Sequence, residues 1–399
     1  MVCVFVSVAF YTLLERKILG YAQIRKGAAK PRVAGILVPF ADAIKLILKQ
    51  STLVTTASSL YWLAGGAILT VPVLLWIWWP LRCSHSRSSY VVVLILALFS
   101  AQVFGRFGAG WGRGSKYRVV GGLRAVAQTV SYEIVYRFLF LLSIVLVGYT
   151  IIRGGVALWS VGVLACFLVC CLAESIRTPF DFVEGESELV SGFNTEYRGI
   201  MFVLIFLGEY AALMLLGALR VWLWVGGGVV VVGTVMAVCL LVPRATLPRL
   251  RYDQLIYLVW KSLLPVVLVV VVLCGVLCWR CGCFESAMLT RPRMLVSLGV
   301  IGLVAAVLVV VVPCFRSVFA SLPNNSAAPF ECGFEPSGMM TVPFCPKFWL
   351  VAILFLLFDV EVALLIPISY SVGGGFVFLM GLVVGAAFEY TVGSLDWVA

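Results

Sequence analysis

Residues 174–196 read Glu-Ser-Ile-Arg-Thr-Pro-Phe-Asp-Phe-Val-Glu-Gly-Glu-Ser-Glu-Leu-Val-Ser-Gly-Phe-Asn-Thr-Glu. The stretch holds six carboxylates, Glu174, Asp181, Glu184, Glu186, Glu188 and Glu196, against one base, Arg177. It sits in a chain of which 63% is apolar and only 12% charged. Acids gathered at the edge of such a chain are costly to keep, and their chemistry is to carry protons or hold cations. Further acids lie inside apolar runs. Glu133 has Arg137 four residues later, on the same helical face. The pair reads either as a membrane ion pair, which eases the cost of both charges, or as a proton-relay carboxylate beside a cation. Glu209 stands alone among apolar residues and must be neutral, paired or facing water. Asp359 and Glu361 are two residues apart, so on a helix they point about 200° apart. They cannot form one paired site, but they can face two different neighbours.

Other chemistries find little support. The one histidine, His85, is remote in sequence from Cys278, Cys281 and Cys283, so a metal site there lacks a fourth ligand. Most of the 13 cysteines lie inside apolar runs, as small hydrophobes do. No cysteine set fits an iron–sulfur cluster. Gly110-Trp111-Gly112 lacks the third glycine and the preceding strand of a dinucleotide fingerprint. No metal, cluster or flavin is expected on this chain.

The elements that position these acids are apolar runs of span length. They are continuous rather than alternating, which predicts helices and excludes a membrane barrel. The expectation is an all-α polytopic membrane protein with about eleven spans, near residues 1–14, 60–80, 90–105, 125–148, 156–172, 199–219, 222–242, 263–279, 294–313, 348–368 and 374–391. The first run is short for a span, so its helix either continues past Leu19 or begins upstream of Met1. With the loop Glu15–Gln50 inside, 21 of the 29 lysines and arginines fall on inner segments, seven on outer ones, and Arg137 within a span. That bias orients the chain with the N-terminus outside and the C-terminus inside. It also accounts for the net charge of +11 without any nucleic acid. The acidic loop lies inside too, against the local trend, and so needs a reason other than topology. Asp42 opens an amphipathic stretch in the first inner loop, which predicts a surface helix beside a cavity.

Several separated stretches carry a resemblance. The acidic loop, Glu15-Arg16-Lys17-Ile18-Leu19-Gly20-Tyr21-Ala22-Gln23-Ile24-Arg25-Lys26-Gly27, Pro39-Phe40-Ala41-Asp42, Gly121–Glu133 and Pro248-Arg249-Leu250-Arg251-Tyr252-Asp253-Gln254-Leu255 resemble subunit 1 of proton-pumping NADH:quinone oxidoreductase, respiratory complex I. Pro329-Phe330-Glu331-Cys332-Gly333-Phe334-Glu335-Pro336, Lys347–Glu361 and Gly393–Trp397 resemble its subunit 3. A seam at residues 280–293 separates them. The expected division is therefore 1–287 as a subunit 1-like quinone-chamber domain and 288–399, from Met288, as a subunit 3-like domain, with eight and three spans. The family usually has Gly-Pro where this chain has Ala28-Ala29-Lys30-Pro31, and Arg137 departs from its pattern.

The resemblance implies a membrane-arm subunit of NADH:ubiquinone oxidoreductase that carries no redox centre and is not catalytic alone. Arg16, Arg25, Asp42 and Arg244 would surround the quinone, with ubiquinone as substrate. Asp181, Glu184, Glu186, Glu188, Glu174, Glu133 and Glu209 would relay its reduction toward Asp359 and Glu361. Cys332 matches a loop cysteine whose accessibility tracks the state of the enzyme; a spare thiol is the alternative. Partners would be peripheral quinone-site subunits, membrane pump subunits and lipids, with no nucleic acid. The location would be the mitochondrial inner membrane with the C-terminus on the matrix side, or a bacterial plasma membrane. Two rivals are the anchor of a related membrane-bound hydrogenase and a stand-alone ion transporter. The first is opposed by the subunit 3-like half, the second by the lack of inverted repeats.

Overall fold

The computed structural model describes residues 2–27, 35–49, 60–77, 89–112, 116–153, 159–183, 189–195, 197–225, 229–281 and 372–392, with a few positions between 352 and 360. Eleven helices are defined there: α1 Val2–Ala22, α2 Val38–Leu48, α3 Leu60–Ile77, α4 Ser89–Trp111, α5 Lys116–Arg153, α6 Trp159–Glu174, α7 Ile200–Val225, α8 Val229–Thr246, α9 Tyr252–Tyr257, α10 Leu264–Cys281 and α11 Val372–Val392. A 3₁₀ turn, Gly192–Asn194, closes the acidic loop, and a π-helical turn, Leu258–Leu263, joins α9 to α10. No strand forms among the described residues. Ile200–Leu219 and Asp253–Leu273 are each long and apolar enough to cross a membrane; Tyr61–Ile77 and Gly162–Glu174 are shorter apolar helices. The expected span 294–313 lies outside the described residues, and 348–368 almost entirely so.

Helix lengths follow local chemistry. α1 continues past Leu19 to Ala22, and ends where Ile24 takes a left-handed φ of 56°. The Arg25 N–H then donates back to the Gly20 carbonyl at 2.9 Å. α5 is free of proline for 38 residues. At about 1.5 Å per residue that is roughly 57 Å, well beyond the ~30 Å hydrocarbon thickness of a bilayer. The glycine-rich stretch after residue 105, expected as an open inner loop, is mostly helix: α4 runs to Trp111 and α5 starts at Lys116. Its glycines serve helix contact instead. A Cβ on Gly110 would lie 2.7 Å from the Gly122 Cα, so the two helices meet backbone to backbone there.

α3 packs between α4 and α7, and α5 packs against α4, α6 and α10. The main core gathers around α5, with Ile134, Phe138 and Phe140 meeting Phe167, Leu216 and Trp260. A second core of Tyr61, Trp62, Ile68, Ile176, Val183, Phe193 and Tyr197 lies under the acidic loop. That loop therefore rests on packed side chains at both ends.

Candidate functional site

The C-terminal half of α1 presents two neighbouring charges to different elements. Glu15 turns inward and is 5% exposed. The Tyr210 hydroxyl, from α7, donates to its Oε2 at 2.6 Å. The Arg244 guanidinium, from the last turn of α8, pairs with its Oε1. Arg16 turns outward instead and pairs with Asp42 of α2 at 2.9 Å, half-exposed. α2 is the amphipathic helix expected after Asp42, with Phe40, Ile44, Ile47 and Leu48 on its exposed side. An open hollow of about 740 Å³ lies along it, lined by Ala41, Ile44, Lys45, Leu48 and Lys49. The structure thus brings Arg16 and Asp42 into contact and sets Arg244 one residue away in the chain, on Glu15. Arg25 stands exposed in the turn after α1.

Tyr210 also connects to the acidic loop. The Arg177 guanidinium lies 4.8 Å over the Tyr210 ring and 5.8 Å over that of Phe206. Glu209, beside Tyr210 on α7, is half-buried.

Four polar side chains hold the acidic loop to the bundle. Arg106, buried on α4, donates to the Glu174 carboxylate at 3.0 Å and to its carbonyl at 3.2 Å. The Gln128 amide donates to the Ala173 and Phe180 carbonyls at 2.9 and 3.0 Å. Arg249 donates to the Asp181 carbonyl and lies 3.5 Å from its carboxylate. Arg118, 0% exposed, closes the far end. It donates to the Phe193 carbonyl at 3.2 Å and to the Ala109 carbonyl, with its guanidinium 4.4 Å over the Tyr197 ring. Within the loop Ile176 and Val190 are β-branched residues at left-handed φ values of 49° and 62°, a costly state that only firm surroundings maintain.

Glu133 and Arg137 form a buried ion pair at 2.5 Å, with side chains 6% and 5% exposed. The spacing that raised this reading is realised within one turn of α5. Glu184, Glu186, Glu188, Glu196, Cys332, Asp359 and Glu361 lie outside the described residues. Among the described residues no group of three histidine, cysteine or acidic side chains comes together to hold a metal ion. Glu15, Tyr210, Gln128, Arg106 and Arg118 escaped the sequence reading as site residues. Glu15 had one signal, its place beside Arg16 on a helix, where neighbours point about 100° apart. The two arginines counted only toward topology.

Comparison with known proteins identifies the family. Residues 1–275 match the family model described as NADH dehydrogenase, and residues 304–397 match NADH-ubiquinone/plastoquinone oxidoreductase, chain 3. NADH-ubiquinone oxidoreductase chain 1 of Oncorhynchus mykiss is 41% identical over 290 residues, covering 67% of this chain and 90% of the relative. The chain 1 proteins of Aedes aegypti (41% over 280 residues, 66% and 89%) and Mytilus edulis (40% over 291 residues, 68% and 95%) are similarly close. The chain belongs to the NADH dehydrogenase family, the subunit 1 family of complex I, and continues into a chain 3 module of the same oxidoreductase.

Proposed function

We propose that this chain is a membrane-arm subunit of proton-pumping NADH:ubiquinone oxidoreductase. It forms the membrane part of the quinone chamber and the acidic relay that couples quinone reduction to proton translocation. The observation that carries this reading is the junction at α1. Arg16 and Asp42 sit at the exposed amphipathic helix α2, while the adjacent Glu15 reaches Tyr210, over whose ring lies Arg177, the one base of the acidic loop. The two clusters share neighbouring residues of α1, so a charge change at the quinone end would reach the loop through that helix, Tyr210 and Arg177.

In this reading Arg16, Arg25, Asp42 and Arg244 serve the chamber. Asp181, Glu184, Glu186, Glu188, Glu174, Glu133 and Glu209 serve the relay and hand its effect to Asp359 and Glu361. Cys332 is the state-sensitive loop thiol. Ubiquinone is a substrate; in this reading the chain holds no flavin, iron–sulfur cluster or metal and is not catalytic alone, so electrons would reach the quinone from peripheral subunits. Reduction alters charge at the chamber, and a charge change that favours one protonation pattern of the relay biases the neighbouring pump subunits. Domains 1–287 and 288–399 cross the mitochondrial inner membrane eight and three times, with the N-terminus outside and the C-terminus on the matrix side. Partners are the other complex I subunits and lipids.

The test uses the assembled complex. Asp42→Asn and Arg16→Gln should each raise the quinone KM several-fold while NADH oxidation by a peripheral artificial acceptor stays unchanged. Unaltered quinone kinetics in both variants would overturn the chamber assignment.

A further inference from the structure

α11 belongs to the chain 3 module, and α10 is the last helix of the subunit 1 module; the two pack together. Leu382 of α11 is 4% exposed and joins the main core, with Phe378, Val383 and Ala386 beside it. Val384 and Phe388 face outward, each 64% exposed. At the far end of α11 the Lys261 ammonium lies 5.7 Å from the centre of the Tyr390 ring and 4.9 Å from that of Tyr257. Leu382, Ala386 and Tyr390 recur every four residues, so they form one ridge along α11.

Lys261 occupies the π-helical turn Leu258–Leu263, within the apolar segment Asp253–Leu273. A cation there is costly, and two aromatic faces within about 6 Å ease it. The geometry also specifies register. In lipid no hydrophobic drive separates one helix register from the next, because the surrounding tails are as apolar as the ridge itself. Sliding α11 by one ridge position would move Tyr390 about 6 Å along the axis and out of reach of Lys261. The apolar contacts alone would tolerate that slip better.

We propose that Lys261, held between Tyr257 and Tyr390, is the lock that fixes the register of the chain 3 module on the subunit 1 module. The partner recognised by α10 is the C-terminal helix of this same chain. The inference rests on the two matched modules and is independent of the quinone and relay roles.

The test keeps the full chain in its assembled complex. A protease site inserted at Met288 is cut in native membranes, and retention of the C-terminal fragment is followed in mild detergent as temperature rises. The fragment should stay bound in the otherwise unaltered chain. Lys261→Met and Tyr390→Leu should release several-fold more of it at a fixed temperature, whereas Lys261→Arg and Tyr390→Phe, which keep the cation and the ring face, should retain it. Loss of the fragment on cutting alone, or equal retention in Lys261→Met and Tyr390→Leu, would overturn the proposal. Should those two variants fail to assemble, Tyr390 replaced by photoreactive benzoylphenylalanine in the uncut chain should cross-link to the peptide containing Tyr257 and Lys261. Cross-linking elsewhere would overturn it equally.

Discussion

Glu15 is the residue on which the site turns, because two elements reach its carboxylate from far along the chain. Glu15→Gln keeps an acceptor for the Tyr210 hydroxyl but leaves the Arg244 guanidinium facing a neutral amide. Breaking one side of a buried pair costs about 3 kcal/mol or more, and the partial exposure of Arg244 sets the effect at the low end. Tyr210→Phe removes one hydrogen bond to a charged group, about 1.5–3 kcal/mol. Both variants should lower the thermal stability of the assembled complex, Glu15→Gln at least as much; melting curves that match the parent would dismiss the cluster as a stabilising device. The pair on α5 behaves asymmetrically. Arg137→Leu should leave assembly intact, since an apolar residue suits that surrounding and Glu133 can take up a proton. Glu133→Gln leaves Arg137 buried without that carboxylate and should reduce the amount of assembled complex on a native gel. The reverse order of the two would refute this account. The α5 pair was legible from spacing alone, because its members are four residues apart on one helix. Glu15 was not, because its hydroxyl partner is 195 residues away and only packing brings them together.

At the scale of elements, the acidic loop is a fixed structure rather than an open one at both of its described ends. Arg118 and Gly121, on successive turns of α5, clamp its 3₁₀ closure. A Cβ on Gly121 would come within 2.8 Å of the Gly192 and Phe193 backbone, and backbone cannot move aside as a flexible side chain can. Gly121→Val should therefore push the loop end away from α5. Hydrogen exchange in residues 189–195 should rise, and quinone-linked proton pumping should fall while peripheral NADH oxidation holds. Unchanged exchange there would show that the contact is not limiting. The acids of the loop could be read from the sequence because their types and density stand out in an apolar chain. Its anchors could not. Arg106 and Arg118 resemble any inner-side arginine until folding buries them, and Gln128 is one amide in a helix. Helix existence was read well because apolar runs of span length have few alternatives. The stretch around Gly110 falls between two expected spans yet is mostly helix, because its glycines serve close helix contact, which hydropathy does not register.

For the whole molecule, the contact between Lys261 and Tyr390 sets how α10 and α11 run relative to each other. Lys261 lies just before α10 and Tyr390 near the end of α11, so these two helices run antiparallel with those ends together. The chain leaves α10 at Cys281 on the opposite side and must enter α11 from that side as well. An even number of crossings between them would satisfy this, and the sequence expectation of two spans there, near 294–313 and 348–368, falls outside the described residues. In the proposed orientation, with the Lys261 end inside, the seam would lie outside and join the modules without an extra span. A fusion is then geometrically free of cost. Denaturing electrophoresis should give one product of about the 43.5 kDa of the full sequence, and mass spectrometry a peptide spanning Arg280 to Arg291. A tag placed after Ala399 should be protected from protease added to the outer face and cut only when the inner face is opened. Two products, the second starting at Met288, would end the single-polypeptide reading while leaving the parity argument standing. A tag cut from the outer face would overturn the orientation drawn from the lysine and arginine bias, because the contact at Lys261 puts those ends of α10 and α11 on one side without saying which.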